Sequence, residues 1–76
     1  MNKHIKEQME YYRVGSIIYC GYWQVYDKVL DFEVIGDRWE VQVARCTKSG
    51  EIVDSPRWHS TAFDRKRDKI IELFIG

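Results

Sequence analysis

The sequence contains few of the residue types and charge imbalances that point directly to a class of function. Among 76 residues there are one proline, five glycines and two cysteines, and 12 basic residues balance 12 acidic ones. A neutral chain lacks the surplus of lysine and arginine with which general nucleic-acid binders contact phosphates. The apolar fraction of 45% excludes a disordered chain, and the length predicts a single domain over residues 1–76.

The sequence also has no long hydrophobic run. The longest stretch without a charged residue is residues 14–26, thirteen positions, whereas a transmembrane helix needs about 20 predominantly apolar residues. The first residues lack the basic and then apolar pattern of a secretory signal. We therefore expect a soluble cytoplasmic protein that has no membrane partner.

Motifs for metal binding and catalysis are equally scarce. Cys20 and Cys46 are far apart in the sequence, and structural zinc sites usually take their ligands from close pairs. We therefore expect free thiols, no metal and no cofactor. His59 and Ser60 are adjacent and would point to opposite faces of a strand, so they cannot act as a catalytic pair. These observations predict a protein that is not an enzyme.

The chain does have clear hydrophobic periodicity, beginning with a helix. Residues 2–12 are rich in good helix formers, and their apolar positions recur at intervals of four, four and three. One stripe would thus contain Met1, Ile5, Met9 and Tyr12. Gly15 is predicted to end this element.

A period of two follows, and it predicts a hairpin over residues 28–45. The first strand has Leu30, Phe32 and Val34 on one face. The second strand has Trp39, Val41 and Val43 on one face. A turn at Gly36 and Asp37 joins them. We expect these six apolar side chains to be mostly buried.

Shorter strands are predicted at residues 16–20, 51–54, 57–63 and 70–75. Together these elements favour a mainly β domain with an N-terminal helix at 2–12 and a small SH3-like barrel of about five antiparallel strands over 15–76. A barrel would protect the exposed strand edges. The alternative is an α+β fold with a C-terminal helix at 64–75, because Ile70, Ile71, Leu73 and Phe74 could share a helical face.

Aromatic residues are unusually frequent, and they carry the leading functional hypothesis. Eleven of the 76 residues are Phe, Trp or Tyr. Four of them fall within eight positions: Tyr19, Tyr22, Trp23 and Tyr26. A small core cannot hold all of these with their polar atoms satisfied, and exposed Tyr and Trp anchor interfaces. The sequence therefore predicts a non-enzymatic module that binds another protein, or a second copy of itself, through this cluster.

The alternative hypothesis is a small nucleic-acid-binding barrel that uses the basic segment 57–69. Its candidate residues are Arg57, Trp58, Arg65, Lys66, Arg67 and Lys69. Cations would contact phosphates and Trp58 would stack on a base. This hypothesis requires one continuous basic face, and interruption of that face by acidic residues would weaken it.

Overall fold

The computed structural model describes residues 2–75, which form one helix and five strands. Helix α1 (Lys3–Tyr11) precedes β1 (Ile17–Cys20), β2 (Val25–Ile35), β3 (Arg38–Cys46), β4 (Arg57–His59) and β5 (Lys69–Glu72). Neighbouring strands are antiparallel, in one open sheet of order β4-β3-β2-β1-β5. The predicted mainly β architecture with an N-terminal helix is confirmed. Within residues 2–75, no helix is long and apolar enough to span a bilayer.

Helix α1 is capped at its start and packs through one narrow stripe. The side-chain oxygen of Asn2 accepts a hydrogen bond from the backbone N–H of Ile5 at 2.8 Å, which satisfies a donor of the first turn. The buried stripe consists of Ile5, Gln8 and Tyr12. The helix ends at Tyr11, with Tyr12 as its cap, which is earlier than the predicted stop at Gly15.

The predicted stripe was wrong at Met9. This side chain is exposed, and Gln8 is buried in its place. The side-chain oxygen of Gln8 accepts a hydrogen bond from the backbone N–H of Phe63 at 2.9 Å. A buried polar group with a partner is tolerated, so helix packing follows the hydrogen bond rather than hydrophobicity alone. Met1 lies outside the described residues.

Strands β2 and β3 form the predicted hairpin, but a β-bulge shifts its register between Val29 and Asp31. Val29 is opposite Val43 and is buried. An extra residue exchanges the faces of all positions on one side of it. Consequently Leu30 does not continue the buried row as predicted but is only half-buried. Val34 is exposed for a different reason, because it lies near the tip of the hairpin.

The core lies between α1 and the inner face of the sheet. Its buried members are Tyr12, Ile18, Val29, Val41 and Val43, against which Phe32, Trp39 and Phe63 pack. The rings of Phe32 and Trp39 stack in parallel with centroids 5.5 Å apart. Of the six side chains predicted to be buried, only Val41 and Val43 are fully enclosed.

Several predicted strands are shorter than expected, and β5 ends at Glu72 rather than at residue 75. Residues 51–54 make a single bridge, between Cys46 and Ile52, and β4 ends at His59 rather than at residue 63. The crossing segment (residues 60–68) then leaves the sheet because its backbone groups bond to helix side chains. The hydroxyl of Tyr12 donates to the carbonyl of Thr61 at 2.9 Å, which substitutes for strand pairing.

The alternative of a C-terminal helix at 64–75 was wrong. Residues 64–68 form a single turn, in which the backbone N–H groups of Arg67 and Asp68 donate to the carbonyl of Asp64. The turn does not propagate because the side chain of Asp68 is bound to the backbone N–H of Gly21 at 2.8 Å. This contact directs the chain along β1, where Lys69–Glu72 pairs as β5.

Candidate functional site: an aromatic cleft

A cleft of about 300 Å³ opens on the inner face of the sheet, beneath the crossing segment. Its walls are largely aromatic and come from the helix end, the β1–β2 loop, β4 and the crossing segment. These aromatic residues are Tyr12, Tyr22, Trp23, His59 and Phe63. Two carboxylate–guanidinium pairs complete the lining. The cleft is large enough for one side chain or a similarly small group.

The first ion pair joins β2 to β4. Asp27 faces inward because it lies opposite Ile18, and Arg57 faces inward because it lies opposite Val43. The Nη2 atom of Arg57 donates to both carboxylate oxygens of Asp27, at 3.0 and 3.1 Å. Asp27 is almost fully buried, whereas 40% of the Arg57 side chain is exposed. Among the described residues, Nε and Nη1 of Arg57 have no hydrogen-bond acceptor, and only Nη2 is engaged.

The second ion pair fixes the β1–β2 loop. Asp68 accepts two hydrogen bonds from Arg67 and one each from the backbone N–H groups of Gly21 and Asp64, all between 2.8 and 3.0 Å. Burial raises the pKa of Asp68, but these hydrogen bonds outweigh burial and lower it overall. A Cβ at Gly21 would overlap the backbone carbonyl of Arg67. The close approach of loop and crossing segment therefore requires glycine.

Tyr22 and Trp23 stand at the mouth of the cleft, in the loop between β1 and β2. They are 65% and 66% exposed, and their rings meet edge to face with centroids 4.9 Å apart. The Arg67 guanidinium lies 5.7 Å from the Tyr22 ring centroid, a favourable cation–π arrangement. Gln24 completes the turn with φ of 57°, a conformation that is uncommon for residues other than glycine. A constrained turn thus presents two large aromatic side chains to solvent.

The four aromatic residues predicted as one cluster are divided between the two faces of the sheet. Tyr19 and Tyr26 are opposite one another in the β1–β2 register. Their rings pack together at 5.4 Å, and both are half-buried. Ile18 and Asp27, the next pair along, face the cleft instead. Strand alternation therefore separates Tyr19 and Tyr26 from Tyr22 and Trp23. Tyr22 and Trp23 are exposed, whereas Tyr19 and Tyr26 are not.

Two other polar side chains of the cleft wall, those of His59 and Tyr12, make hydrogen bonds to the crossing segment. Nδ1 of His59 accepts a hydrogen bond from the backbone N–H of Thr61 at 3.1 Å. Burial and then the charge of Arg57 lower the pKa of His59. Burial raises the pKa of Tyr12, and the nearby Asp68 adds to this effect. These residues form a wall that holds the crossing segment in place.

The predicted basic residues do not form one uninterrupted face. Arg57 and Arg67 are neutralised by Asp27 and Asp68. Trp58 points away from Arg57, because adjacent strand residues alternate. Of the predicted basic residues, the three that have no ion pair among residues 2–75 are exposed: Arg65, Lys66 and Lys69. Acidic residues thus interrupt the face that the nucleic-acid hypothesis requires.

The two thiols cannot pair with each other in this fold. Cys20 lies in β1 and Cys46 in β3, with β2 between them. Two strand spacings separate their backbones by about 10 Å, and a disulfide needs Cα atoms within about 7 Å. Both cysteines are free. Among residues 2–75, no group of three or more His, Cys, Asp or Glu side chains is placed to hold a metal ion.

Sequence reasoning missed the two buried carboxylates that organise the cleft. Asp27 follows Val25 and Tyr26 in a strand, an unusual place for a charge, and this is a usable signal. Asp68 lies in a run of charged residues that looks like a solvated loop, and no sequence signal distinguishes it. No family model, curated protein or solved structure matches the chain.

Proposed function

We propose that this protein is a non-enzymatic binding module that holds a segment of another protein in its aromatic cleft. One observation carries the proposal. Tyr22 and Trp23 are each about two-thirds exposed, adjacent to one another, and placed at the mouth of a concave site. Exposed Tyr and Trp provide a large contact area at low entropic cost and are enriched among residues that dominate binding energy.

The charges of the cleft favour an uncharged guest. Asp27 pairs with Arg57 and Asp68 pairs with Arg67, so the four charged groups cancel. A charged side chain would lose its hydration without gaining a free counter-ion. An apolar or aromatic side chain would stack on Trp23, and the free N–H groups of Arg57 would bind a backbone carbonyl of the same segment. The partner is thus a peptide with an uncharged, bulky anchor residue.

The hydrogen bonds and ion pairs within the cleft wall also support binding rather than catalysis. Nδ1 of His59 is occupied, and each carboxylate is paired. We extend the proposal to the fold and location expected from the sequence: a sheet that curls as an SH3-like barrel, and a cytoplasmic protein with reduced thiols. Residues of β4 and residues next to β5, the two edge strands, line the same cleft, which supports curvature, and the separation of Cys20 from Cys46 agrees with a reducing compartment.

The test is selection of a random peptide display library on the full chain, followed by affinity measurements on purified variants. Enriched peptides should share an uncharged bulky residue. Trp23→Ala should weaken their binding by about thirtyfold, the loss typical of a central anchor, with an unchanged circular dichroism spectrum. Trp58→Ala is the matched control, because Trp58 lies on the opposite face of β4 and should leave the affinity unchanged.

Two results would contradict the proposal. Peptides that bind wild type and Trp23→Ala equally would place the binding surface elsewhere. Tight binding of single-stranded DNA or RNA, with no peptide enriched, would favour the nucleic-acid hypothesis. In that case charge reversal at Arg65 and Lys66 should reduce the salt dependence of binding by about one unit per lost phosphate contact.

A further inference from the structure

Strand β5 is an edge strand of the sheet, and it exposes apolar side chains. It is the last strand in the sheet order and pairs only with β1 among the described residues. All four of its residues are exposed. Apolar exposure continues beyond it, since Leu73, Phe74 and Ile75 are 41%, 54% and 75% exposed. Such an edge offers unpaired backbone groups for pairing with another strand.

A register shift places one positive and one negative side chain of β5 on the same face, so that two copies of this strand could pair with opposite charges facing each other. Lys69 lies opposite Tyr19 and Glu72 lies opposite Ile17, two residues apart on β1. Lys69 and Glu72 are therefore on the same face of the sheet, although they are three residues apart in sequence. Without the shift they would be on opposite faces, and two copies related by a twofold axis could not bring them together.

We propose that β5 pairs antiparallel with β5 of a second copy of this chain. The twofold axis passes between Ile70 and Ile71, so that Lys69 of each copy faces Glu72 of the other. Two opposite-charge pairs then flank a central group of four isoleucine side chains. Cross-strand pairs of both kinds stabilise antiparallel sheets, and like charges placed opposite one another destabilise them. The two sheets become one continuous sheet, and the exposed edge disappears.

Charge reversal tests this pairing, with sedimentation equilibrium of the full chain over a wide concentration range as the measurement. Wild type should pass from monomer to dimer as concentration rises. Glu72→Lys places two lysines opposite each other, and Lys69→Glu does the same with two glutamates. Each single variant should therefore raise the dimer dissociation constant by about tenfold or more. Glu7→Lys, a matched charge reversal on the exposed face of α1, should leave it unchanged.

An equimolar mixture of the two single variants provides the specific test. In the mixed dimer each lysine again faces a glutamate, so association should recover to near the wild-type level. The double variant K69E/E72K should also dimerise, because each glutamate again faces a lysine. If a single variant loses its folded circular dichroism spectrum, this double variant tests the pairing in its place. Wild type that remains monomeric at every concentration overturns the proposal, and so does a mixture without recovery. Loss of the dimer in Trp23→Ala would instead assign self-association to the cleft and overturn pairing through β5.

Discussion

The β2–β3 hairpin and the terminal segment (residues 57–72) are held in the fold by different kinds of interaction. The hairpin strands have 11 and 9 residues and pair along nearly their whole length. The strands of the terminal segment have only 3 and 4 residues. Its intervening chain is fixed mainly by side chains, through Gln8, Tyr12 and Asp68. Backbone pairing therefore builds the platform, whereas a few buried polar side chains attach the part that shapes the cleft.

This difference predicts that the two regions respond separately to mutation. Long ladders with buried apolar side chains open only with the whole protein, whereas segments with few buried contacts open locally. The cleft, which needs Arg57, Phe63 and Arg67 in place, depends on the less stable region. Binding should therefore be more sensitive than folding to changes in the attaching side chains.

The largest expected effect is that of Asp68→Ala. The substitution removes four hydrogen bonds and leaves Arg67 without its buried partner. We expect a loss of about 3 kcal/mol in the free energy of unfolding, measured by urea denaturation. Hydrogen exchange should show the amide protons of residues 60–72 losing protection while those of the hairpin keep it. Equal loss of protection in both regions would contradict the separation proposed here.

A smaller effect is expected from two identical substitutions in different regions. Gly21→Ala places a methyl group against the backbone carbonyl of Arg67, so loop and crossing segment must move apart. A loss of about 2 kcal/mol is expected. In Gly36→Ala, at the hairpin turn, the added methyl group meets no atom within 4 Å, and the only strain comes from the φ of 64°. This strain should lower the free energy of unfolding by about 1 kcal/mol. Thermal unfolding of the two variants gives the comparison, and a greater loss for Gly36→Ala would refute it.

The smallest effect is a pH dependence that originates in the terminal segment. Burial and the nearby Arg57 lower the pKa of His59 in the folded protein, so the unfolded chain takes up this proton first as pH falls. Stability from this group is complete above the unfolded pKa of about 6.5 and is lost as pH falls toward the folded pKa, by no more than about 1.4 kcal/mol per pH unit. His59→Asn, whose amide oxygen can accept from Thr61, should reduce the slope of stability against pH below about 6.5. An unchanged slope would assign that dependence to another group.

The hairpin could be predicted from hydrophobic alternation, because alternation depends only on residues that are close together in the sequence. Val41 and Val43 were placed correctly, since each side chain's face follows from its neighbours along one strand. Leu30 was misplaced because a bulge depends on how β2 meets β3, and no residue near Leu30 marks it. The exposure of Tyr22 and Trp23 could also be anticipated, because there are more aromatic residues than a core of this size can enclose.

The division of the aromatic cluster lay beyond sequence reasoning. Tyr19 and Trp23 look equivalent in the sequence, but only Trp23 reaches the cleft, because the β1–β2 pairing directs Tyr19 and Tyr26 to the other face. The roles of the arginines were equally hidden. In the sequence, Arg57 and Arg67 look like the other basic residues of the segment 57–69. Only the folded chain brings carboxylates next to these two.

The sequence by itself determined the mainly β architecture, the N-terminal helix, the central hairpin and an excess of aromatic surface. Each of these follows from periodicity or composition, which act over a few neighbouring residues. Only the tertiary structure decided which charges are buried, where the register shifts and which aromatic residues share a site. Those features depend on how separate elements meet in the fold, as Gly21 meets Asp68, which is 47 positions away. A hydrogen-bonded carboxylate contributes to stability in this way only after the fold has removed it from water, so its contribution cannot be read from the sequence around it.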